Sequence, residues 1–444
     1  MTIPLENTRA LVVGMKKSGI ASVELLLRHG ARVRATDLKP LEQLPPEARA
    51  LAIPFALQTP EVFEDADLIV LSPDVPADLP PLEAARARGV PVIGEVELAA
   101  PFLKGRIIGI TGSNGKTTTT SLIGHILRHA GLPVQVGGNI GTPVAAMIDS
   151  SRDDGWNVLE LSSFQLETTV DFHAHIALVL NITQNHLDRH HTFEAYYMAK
   201  VRLIRTQQPG DWAIFNDNDS VTAGLAEYTK AYPRWFSLTH KVPGAHLCGD
   251  KLVLEEKLLM TADEIPIRGR HNISNVLAAA LAAFHAGVDR AAIAAAVRTF
   301  KAVEHRLEFV RNYRGIDFYN DSKATSVDAT LKAIDAFNGG LWIILGGKDK
   351  GLDYAPLRAP LQAKAHAALL IGAAAGKIAA ALEGSVPLVE AHTLDAAIAH
   401  AVREGHPGDT VLLAPACASF DQFHSFEHRG EVFKALVRHL GEAA

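Results

Sequence analysis

The sequence predicts an α/β protein of three domains: a Rossmann-like N-terminal domain over 1–101, a central P-loop ATPase-type domain over 102–303 and a Rossmann-like C-terminal domain over 304–444. Three observations lead there. The length of 444 residues is about three ordinary domains. Short apolar runs alternate with helix-length segments along the whole chain, the pattern of parallel sheets joined by helices. The apolar run Ile107-Ile108-Gly109-Ile110 leads into a Gly-rich turn, then Gly115-Lys116-Thr117 and a helix-permissive segment from Thr119 to His129. Strand, glycine turn and helix N-terminus in that order make a phosphate-cradling loop.

In the first domain, Arg9 to Gly14 reads as a buried strand and Ser18 to His29 as a helix stopped by Gly30. Ala31 to Thr36 reads as the next strand, ending at Asp37. These begin a Rossmann-like βαβ unit. Asp67 to Ser72 and Val90 to Ile93 read as further parallel strands, and Pro101 to Gly105 as a linker. In the central domain strands are expected at Trp156–Leu161, His175–Leu180 and Asp211–Phe215, with Ala-rich helices after Asn272. In the third, Leu341–Gly346, Ala367–Gly372 and Thr410–Ala414 read as short buried strands.

Composition narrows the function classes. Hydrophobic content of 48% with 21% charged residues is ordinary for a globular α/β chain. A net charge of −6 gives no basic footprint for nucleic acid. Two cysteines, Cys248 and Cys417, cannot build a disulfide framework, which suits a reducing compartment. No apolar run reaches the ~18–20 residues that span a bilayer, and the N-terminus lacks a signal-peptide pattern. A cytoplasmic monomer with small-molecule substrates is expected.

Within the phosphate loop, Gly112, Ser113, Asn114, Gly115, Lys116, Thr117 and Thr118 are candidate nucleotide contacts. Glycines let backbone N–H groups approach phosphate oxygens, Lys116 can pair with β/γ-phosphates, and the Thr117 hydroxyl is placed to ligate Mg²⁺. Counted from Gly112 the loop is shorter than the common GxxxxGK[ST] form. The first loop, Gly14-Met15-Lys16-Lys17-Ser18-Gly19, is a partial dinucleotide fingerprint in which Lys16 replaces the middle glycine. Asp37, at a strand end, can bind a ribose or a base edge. Glu160, in Leu159-Glu160-Leu-Ser-Ser-Phe-Gln165, sits at a strand end downstream of the phosphate loop and suits a Mg²⁺ ligand.

Three more groups of segments complete the pattern. They are Asn181-Ile-Thr-Gln-Asn185-His186-Leu-Asp188 followed by Lys200; His271-Asn272-Ile-Ser-Asn275 with His305-Arg306-Leu-Glu308; and Asn320-Asp321-Ser322-Lys323-Ala324-Thr325 with Pro415-Ala-Cys-Ala-Ser419-Phe420-Asp421-Gln422-Phe423. In order and over essentially the whole chain, these segments resemble the Mur ligase family. The first two groups are shared with folylpolyglutamate synthetases. The segments at 321–325 and 415–423 resemble the D-glutamate-adding members in particular.

The resemblance implies an ATP-dependent ligase that adds D-glutamate to UDP-N-acetylmuramoyl-L-alanine through an acyl phosphate and a tetrahedral intermediate, in peptidoglycan precursor synthesis. It implies ATP, two Mg²⁺ ions and catalytic roles for Lys116, Glu160, His186 and Lys200. Thr117 and Glu160 would share one ion and His186 would serve the other, with Lys200 a metal ligand if carbamylated. Asn272, Asn275, Arg306 and Asp321 would hold the adenine nucleotide. Met15, Lys16, Asp37, Ser72, Asn139 and His186 would bind the UDP substrate. Lys323, Thr325, Lys350, Ser419 and Phe426 would bind D-glutamate, with Lys348 a competing lysine and Ser419 at a helix start.

Three positions depart from the family pattern. Lys16 and Asp74 stand where glycines are usual in the first domain, and Ala302 stands where a glycine usually precedes the His305-Arg306 pair. Asp74 would repel a diphosphate unless it turns outward. The histidines His173, His175, His190 and His191 lack carboxylate or cysteine partners at zinc-type spacing. Cys417 reads as a buried small residue. An NAD-dependent oxidoreductase built on the first domain would leave Gly115-Lys116-Thr117 unexplained. An NTP-driven switch would hydrolyse without an amino acid. Another family member or a folylpolyglutamate synthetase is opposed by 321–325 and 415–423.

Overall fold

The computed structural model describes residues 4–301 and 303–441, and for Asp188 the backbone alone. Ala302, one of the three departures, lies outside the described residues. The described residues form three sheets, built from the apolar runs that alternate with helices. The first holds β1 (Arg9–Val13), β2 (Arg32–Asp37), β3 (Phe55–Leu57), β4 (Leu68–Leu71) and β5 (Val92–Gly94), in the order β3-β2-β1-β4-β5 and wholly parallel. Chain order runs outward from β1 on one side and from β4 on the other. The crevice beyond their C-terminal ends is therefore a topological switch point. The helix Lys17–Arg28 enters directly from the first loop. Gly19 is required there, because a Cβ would lie 1.9 Å from the Gly14 carbonyl oxygen.

The second sheet contains β6 (Arg106–Thr111), β7 (Val134–Gly138), β8 (Trp156–Glu160), β9 (Ile176–Val179), β10 (Trp212–Asn216), β11 (Tyr232–Ser237), β12 (Gly244–Cys248), β13 (Lys251–Leu254) and β14 (Lys257–Thr261). Its order is β14-β13-β12-β11-β10-β9-β6-β8-β7. It is parallel from β7 through β12, and β13 and β14 continue it antiparallel. Strands β8, β9 and β10 form where the apolar runs predict them. Four strands here carry weak signals: β7 ends in two glycines, which disfavour strands, and β12 to β14 are short segments with charged turns.

The third sheet contains β15 (Glu308–Tyr313), β16 (Ile316–Asn320), β17 (Leu341–Gly346), β18 (Ala365–Ile371), β19 (Leu388–His392) and β20 (Thr410–Leu413). Its order is β15-β16-β20-β17-β18-β19, with only β15 antiparallel. Both faces carry buried apolar clusters, so β17 is apolar throughout and β20 is apolar after Thr410.

The described residues group into two compact units, 1–264 with 274–299 and 265–273 with 300–444. Inside the first unit the first and second sheets are firmly joined. Arg28 pairs with Asp149 at 2.7 Å. The Glu95 carboxylate accepts from the Ala145 N–H at 2.6 Å. Glu97 accepts three consecutive N–H bonds from Val170, Asp171 and Phe172 at 2.8, 2.9 and 3.0 Å.

Candidate active site

The crevice of the first sheet is built by the loops after β1, β2 and β4. Asp37 ends β2 and spends both oxygens on backbone N–H groups, Met15 at 2.8 Å and Lys39 at 3.0 Å. Its carboxylate therefore shapes the first loop. Met15 is buried in the core, with its backbone N–H held by Asp37. Ser72 is buried and donates to the Gly14 carbonyl at 2.7 Å, which ties the β1 and β4 loops together. Lys16 and Asp74 pair across them at 2.6 Å. The two first-domain departures thus answer each other: the acidic side chain is neutralised by the lysine facing it.

Around the phosphate loop, Thr111 ends β6 and the helix Lys116–His129 begins five residues later. Gly115 has φ +86°, and a Cβ there would lie 2.5 Å from Asn275 Oδ1. Only glycine satisfies both the left-handed turn and that approach. Asn275 in turn accepts from the Thr119 hydroxyl at 3.3 Å, so it sits against the loop. Lys116 Nζ donates to the carbonyls of Gly112 at 2.8 Å and Ser113 at 3.1 Å. Ser113 Oγ lies 2.8 Å from the Tyr196 hydroxyl. Thr117 and Thr118 are buried on the first turn.

Two loop-holding residues carried no assigned role in the sequence. Asn181 follows β9 and grips Asn114 twice: its Oδ1 accepts from the Asn114 N–H at 2.8 Å and its Nδ2 donates to the Asn114 carbonyl at 3.0 Å. Tyr196 anchors Ser113. Their only signal was membership of the Asn181–Lys200 stretch.

Glu160 closes β8 beside the end of β6, with Ile110 as its register partner. It is buried. Asn139 donates to its Oε1 at 2.7 Å, while Oε2 is buried with no hydrogen-bond partner. Asn139 therefore positions this carboxylate. An uncompensated carboxylate oxygen at that depth is costly without a cation. Together with the Thr117 hydroxyl this donor set of hard oxygens fits Mg²⁺.

His186 lies at the N-cap of the short helix Leu187–His190, is exposed, and has φ +55°. Its ring meets that of Phe164 at 4.9 Å. Lys200 lies on the helix Phe193–Arg205 and is 1% exposed. Its amine donates to the Gly112 carbonyl at 3.0 Å and lies over the Tyr196 ring at 4.6 Å. Burial, and then the charge of Lys116, push its pKa well below the usual lysine range.

In the second unit, the loops after β16, β20 and β17 leave adjacent strand ends. Lys323 lies 5.4 Å from the centre of the Phe426 ring. Lys350 Nζ reaches the Thr325 carbonyl at 3.4 Å, whereas the Lys348 backbone bridges to Ala418. Of the two lysines, Lys350 therefore joins the Thr325 group. Ser419 is buried, but it does not start a helix. It opens a single turn that accepts from Gln422 and Phe423, and the helix Phe426–Arg438 begins later, capped by Ser425. Arg429, which the sequence reading missed, is fully buried and donates to Ser322 and to the carbonyls of Cys417 and Ala418. Its hydrogen bonds bring the Lys323, Ser419 and Phe426 segments together.

Asp321 is buried, which pushes its carboxyl up to about 7 against the opposing pull of Arg306 and Lys323. Asn272, also in this unit, donates to the Arg268 carbonyl at 2.6 Å. Cys417 is buried with its sulfur 3.0 Å from the Tyr354 hydroxyl. The histidines outside these clusters have local partners. His173 pairs with Asp211 at 2.7 Å, and His175 Nδ1 lies 3.1 Å from the Ile107 N–H.

Residues 8–94 match the MurD-like N-terminal domain of Mur ligases, residues 110–283 the Mur ligase middle domain, and residues 305–417 the Mur ligase glutamate ligase domain. The chain is 72% identical to the UDP-N-acetylmuramoylalanine–D-glutamate ligase of Solibacter usitatus, over 98% of this chain and 99% of that one. It is 50% identical to the protein of that name in Acidobacterium capsulatum, over 99% and 98%. Among solved structures, UDP-N-acetylmuramate-alanine ligase MurC from Thermotoga maritima superposes with a TM-score of 0.61 at 19% identity. That superposition covers 97% of this chain and 99% of that one, and shows the shared fold.

Proposed function

The chain belongs to the Mur ligase family, and from that premise we propose how its residues carry out the ATP-dependent ligation of D-glutamate to UDP-N-acetylmuramoyl-L-alanine. The observation that carries the reading is the phosphate loop set beside Glu160, whose buried carboxylate oxygen lacks a partner. The reaction is an amide-forming step of peptidoglycan precursor synthesis. A carboxylate is a poor electrophile. Transfer of the ATP γ-phosphoryl group to the L-alanine carboxylate makes an acyl phosphate. The D-glutamate amine then attacks that carbonyl, and phosphate leaves from a tetrahedral intermediate. Little covalent work falls to the protein, which orients three substrates and neutralises phosphate charge.

Each residue then has a task. The backbone N–H groups from Gly112 to Thr118 cradle the phosphates, and Lys116 exchanges its two loop carbonyls for β/γ-phosphate oxygens. Asn272, Asn275, Arg306 and Asp321 hold the adenine nucleotide. Thr117, Glu160 and His186, with Lys200 if carbamylated, would hold two Mg²⁺ ions, which supply charge neutralisation when bound. Carbamylation requires an uncharged amine, and the depressed pKa of Lys200 supports it. Met15, Lys16, Asp37, Ser72, Asn139 and His186 bind the uridine nucleotide substrate. Lys323, Thr325, Lys350, Ser419 and Phe426 take D-glutamate, whose two carboxylates suit two lysines. Functionally the chain divides at 1–101, 102–303 and 304–444, and it works as a cytoplasmic monomer. Among the described residues no helix is long and apolar enough to cross a membrane.

The test is phosphate release with ATP, Mg²⁺ and UDP-N-acetylmuramoyl-L-alanine, offering D-Glu, L-Glu, L-Lys or L-Ala in turn. Release with D-Glu alone is expected. Release without any amino acid would defeat the reading.

A further inference from the structure

Arg189 makes more contacts across the first and second sheets than the reaction above requires of it. Its guanidinium donates to three consecutive carbonyls of the loop after β4: Pro73 at 3.3 Å, Asp74 at 3.2 Å, and Val75. It also donates to Glu167 Oε1 at 2.9 Å and lies 4.7 Å from the centre of the Phe164 ring. That same ring packs edge-on against His186. The Arg189 and His190 N–H groups both return to the His186 carbonyl, at 3.1 and 2.9 Å. His186 is held in a left-handed conformation, which a non-glycine residue keeps only where its surroundings impose it.

The loop gripped by Arg189 is one wall of the nucleotide crevice. Its Ser72 is bonded to Gly14 and its Asp74 to Lys16 on the other wall. One planar group therefore touches the crevice wall on one side and the ring that seats His186 on the other. The second link between these segments, His191 to Asp78 at 2.8 Å, is exposed and contributes little.

We propose that Arg189 is a positioning residue that makes occupancy of the first-sheet crevice a condition for correct placement of His186. The proposal rests on the reading that the crevice takes the uridine nucleotide and that His186 serves the reacting centre. A ligand seated between the β1 and β4 loops fixes the three carbonyls, the carbonyls fix the guanidinium, and the guanidinium fixes Phe164 and the helix that His186 caps. Lysine cannot replace it, because a point charge cannot address three carbonyls and a ring face together.

The experiment is a double-mutant cycle of Arg189→Met and His186→Ala in the full-length enzyme, with Arg189→Lys alongside. It reads kcat, the KM of each substrate, melting temperature, and calorimetric binding of UDP-N-acetylmuramoyl-L-alanine without ATP. Arg189→Met is expected to lower kcat by about 30-fold or more while the ATP KM moves less than about threefold. In the His186→Ala background the same change should cost less than about threefold, because the two residues act as one unit. Arg189→Lys should behave like Arg189→Met. Additive losses overturn the proposal. So does a higher nucleotide KM or weaker calorimetric binding with kcat intact, since Arg189 would then only shape the crevice. A drop in melting temperature that accounts for the lost activity, with ATP affinity lost too, also overturns it. If His186→Ala alone keeps full kcat, the assignment of His186 fails, and that outcome is distinct from failure of the coupling.

Discussion

Replacing Glu95 with glutamine should stabilise the protein above pH 7 and change it little at acid pH. The Glu95 carboxyl is 2% exposed, where the first sheet packs on the second. Its Oε1 accepts from the Ala145 N–H at 2.6 Å, and its Oε2 is buried without a hydrogen-bond partner. Burial pushes its pKa up from 4.5 to about 7, against the pull of backbone N–H groups at Ala145 and Val144. The folded state therefore holds this proton more tightly than the unfolded state. Its contribution is fully present below pH 4.5 and is lost as the pH rises through 7. A shift of that size corresponds to about 3 kcal/mol at pH 8 and to less than about 1 kcal/mol at pH 5. Glutamine keeps the acceptor for Ala145 and cannot ionise. Urea unfolding of both proteins, followed by tryptophan fluorescence from pH 5 to pH 8.5, should show their stabilities diverging as pH rises. A difference that stays constant across that range would refute the reasoning, because the group would then not be ionising in the fold.

Four further outcomes are expected. Lys116→Ala should nearly abolish phosphate release while the uridine nucleotide still binds, since the phosphate loop and the first-sheet crevice are separate; calorimetry beside the activity assay checks both. Lys200→Ala should be severely impaired and partly rescued by acetate, and normal activity in bicarbonate-free buffer would remove the carbamate from the mechanism. Gly115→Ala should raise the ATP KM by roughly tenfold or more, because the left-handed turn alone costs a non-glycine residue about 1–2 kcal/mol and the new Cβ meets Asn275; unchanged ATP saturation would count against the loop assignment. Ser419→Ala should raise the D-glutamate KM by about tenfold or more and spare the muramoyl nucleotide KM, and the reverse pattern in steady-state kinetics would move the amino-acid site elsewhere.

Some of this protein was readable without coordinates because it is local. Strand β6, the Gly112–Gly115 turn and the helix from Lys116 follow one another in the chain, and a phosphate loop is made from just such neighbours. The same holds for strands β1, β4, β17 and β20, where burial on both faces favours near-continuous hydrophobic runs, broken only at the first residue of β1 and of β20. The local signal fails where strands are short or rich in glycine, as in β7 and β12 to β14. It fails again at Ser419, where small residues after β20 suggest a helix start but the Ser425 hydroxyl supplies the actual cap.

What only the tertiary structure decided lies between residues far apart in the chain. Sheet register sets Glu160 against Ile110, and Asn139 then takes one of its two oxygens. The crossing of the β1 and β4 loops turns Lys16 and Asp74 from two anomalies into one ion pair. Packing brings Lys350 to the Thr325 carbonyl and pairs the Lys348 backbone with Ala418. Arg189 reaches residues more than a hundred positions away. Chain neighbours are held together by covalent geometry and can be read from order alone. These partners meet only because strand order and packing bring them together, and the free energy of burying the core determines that order.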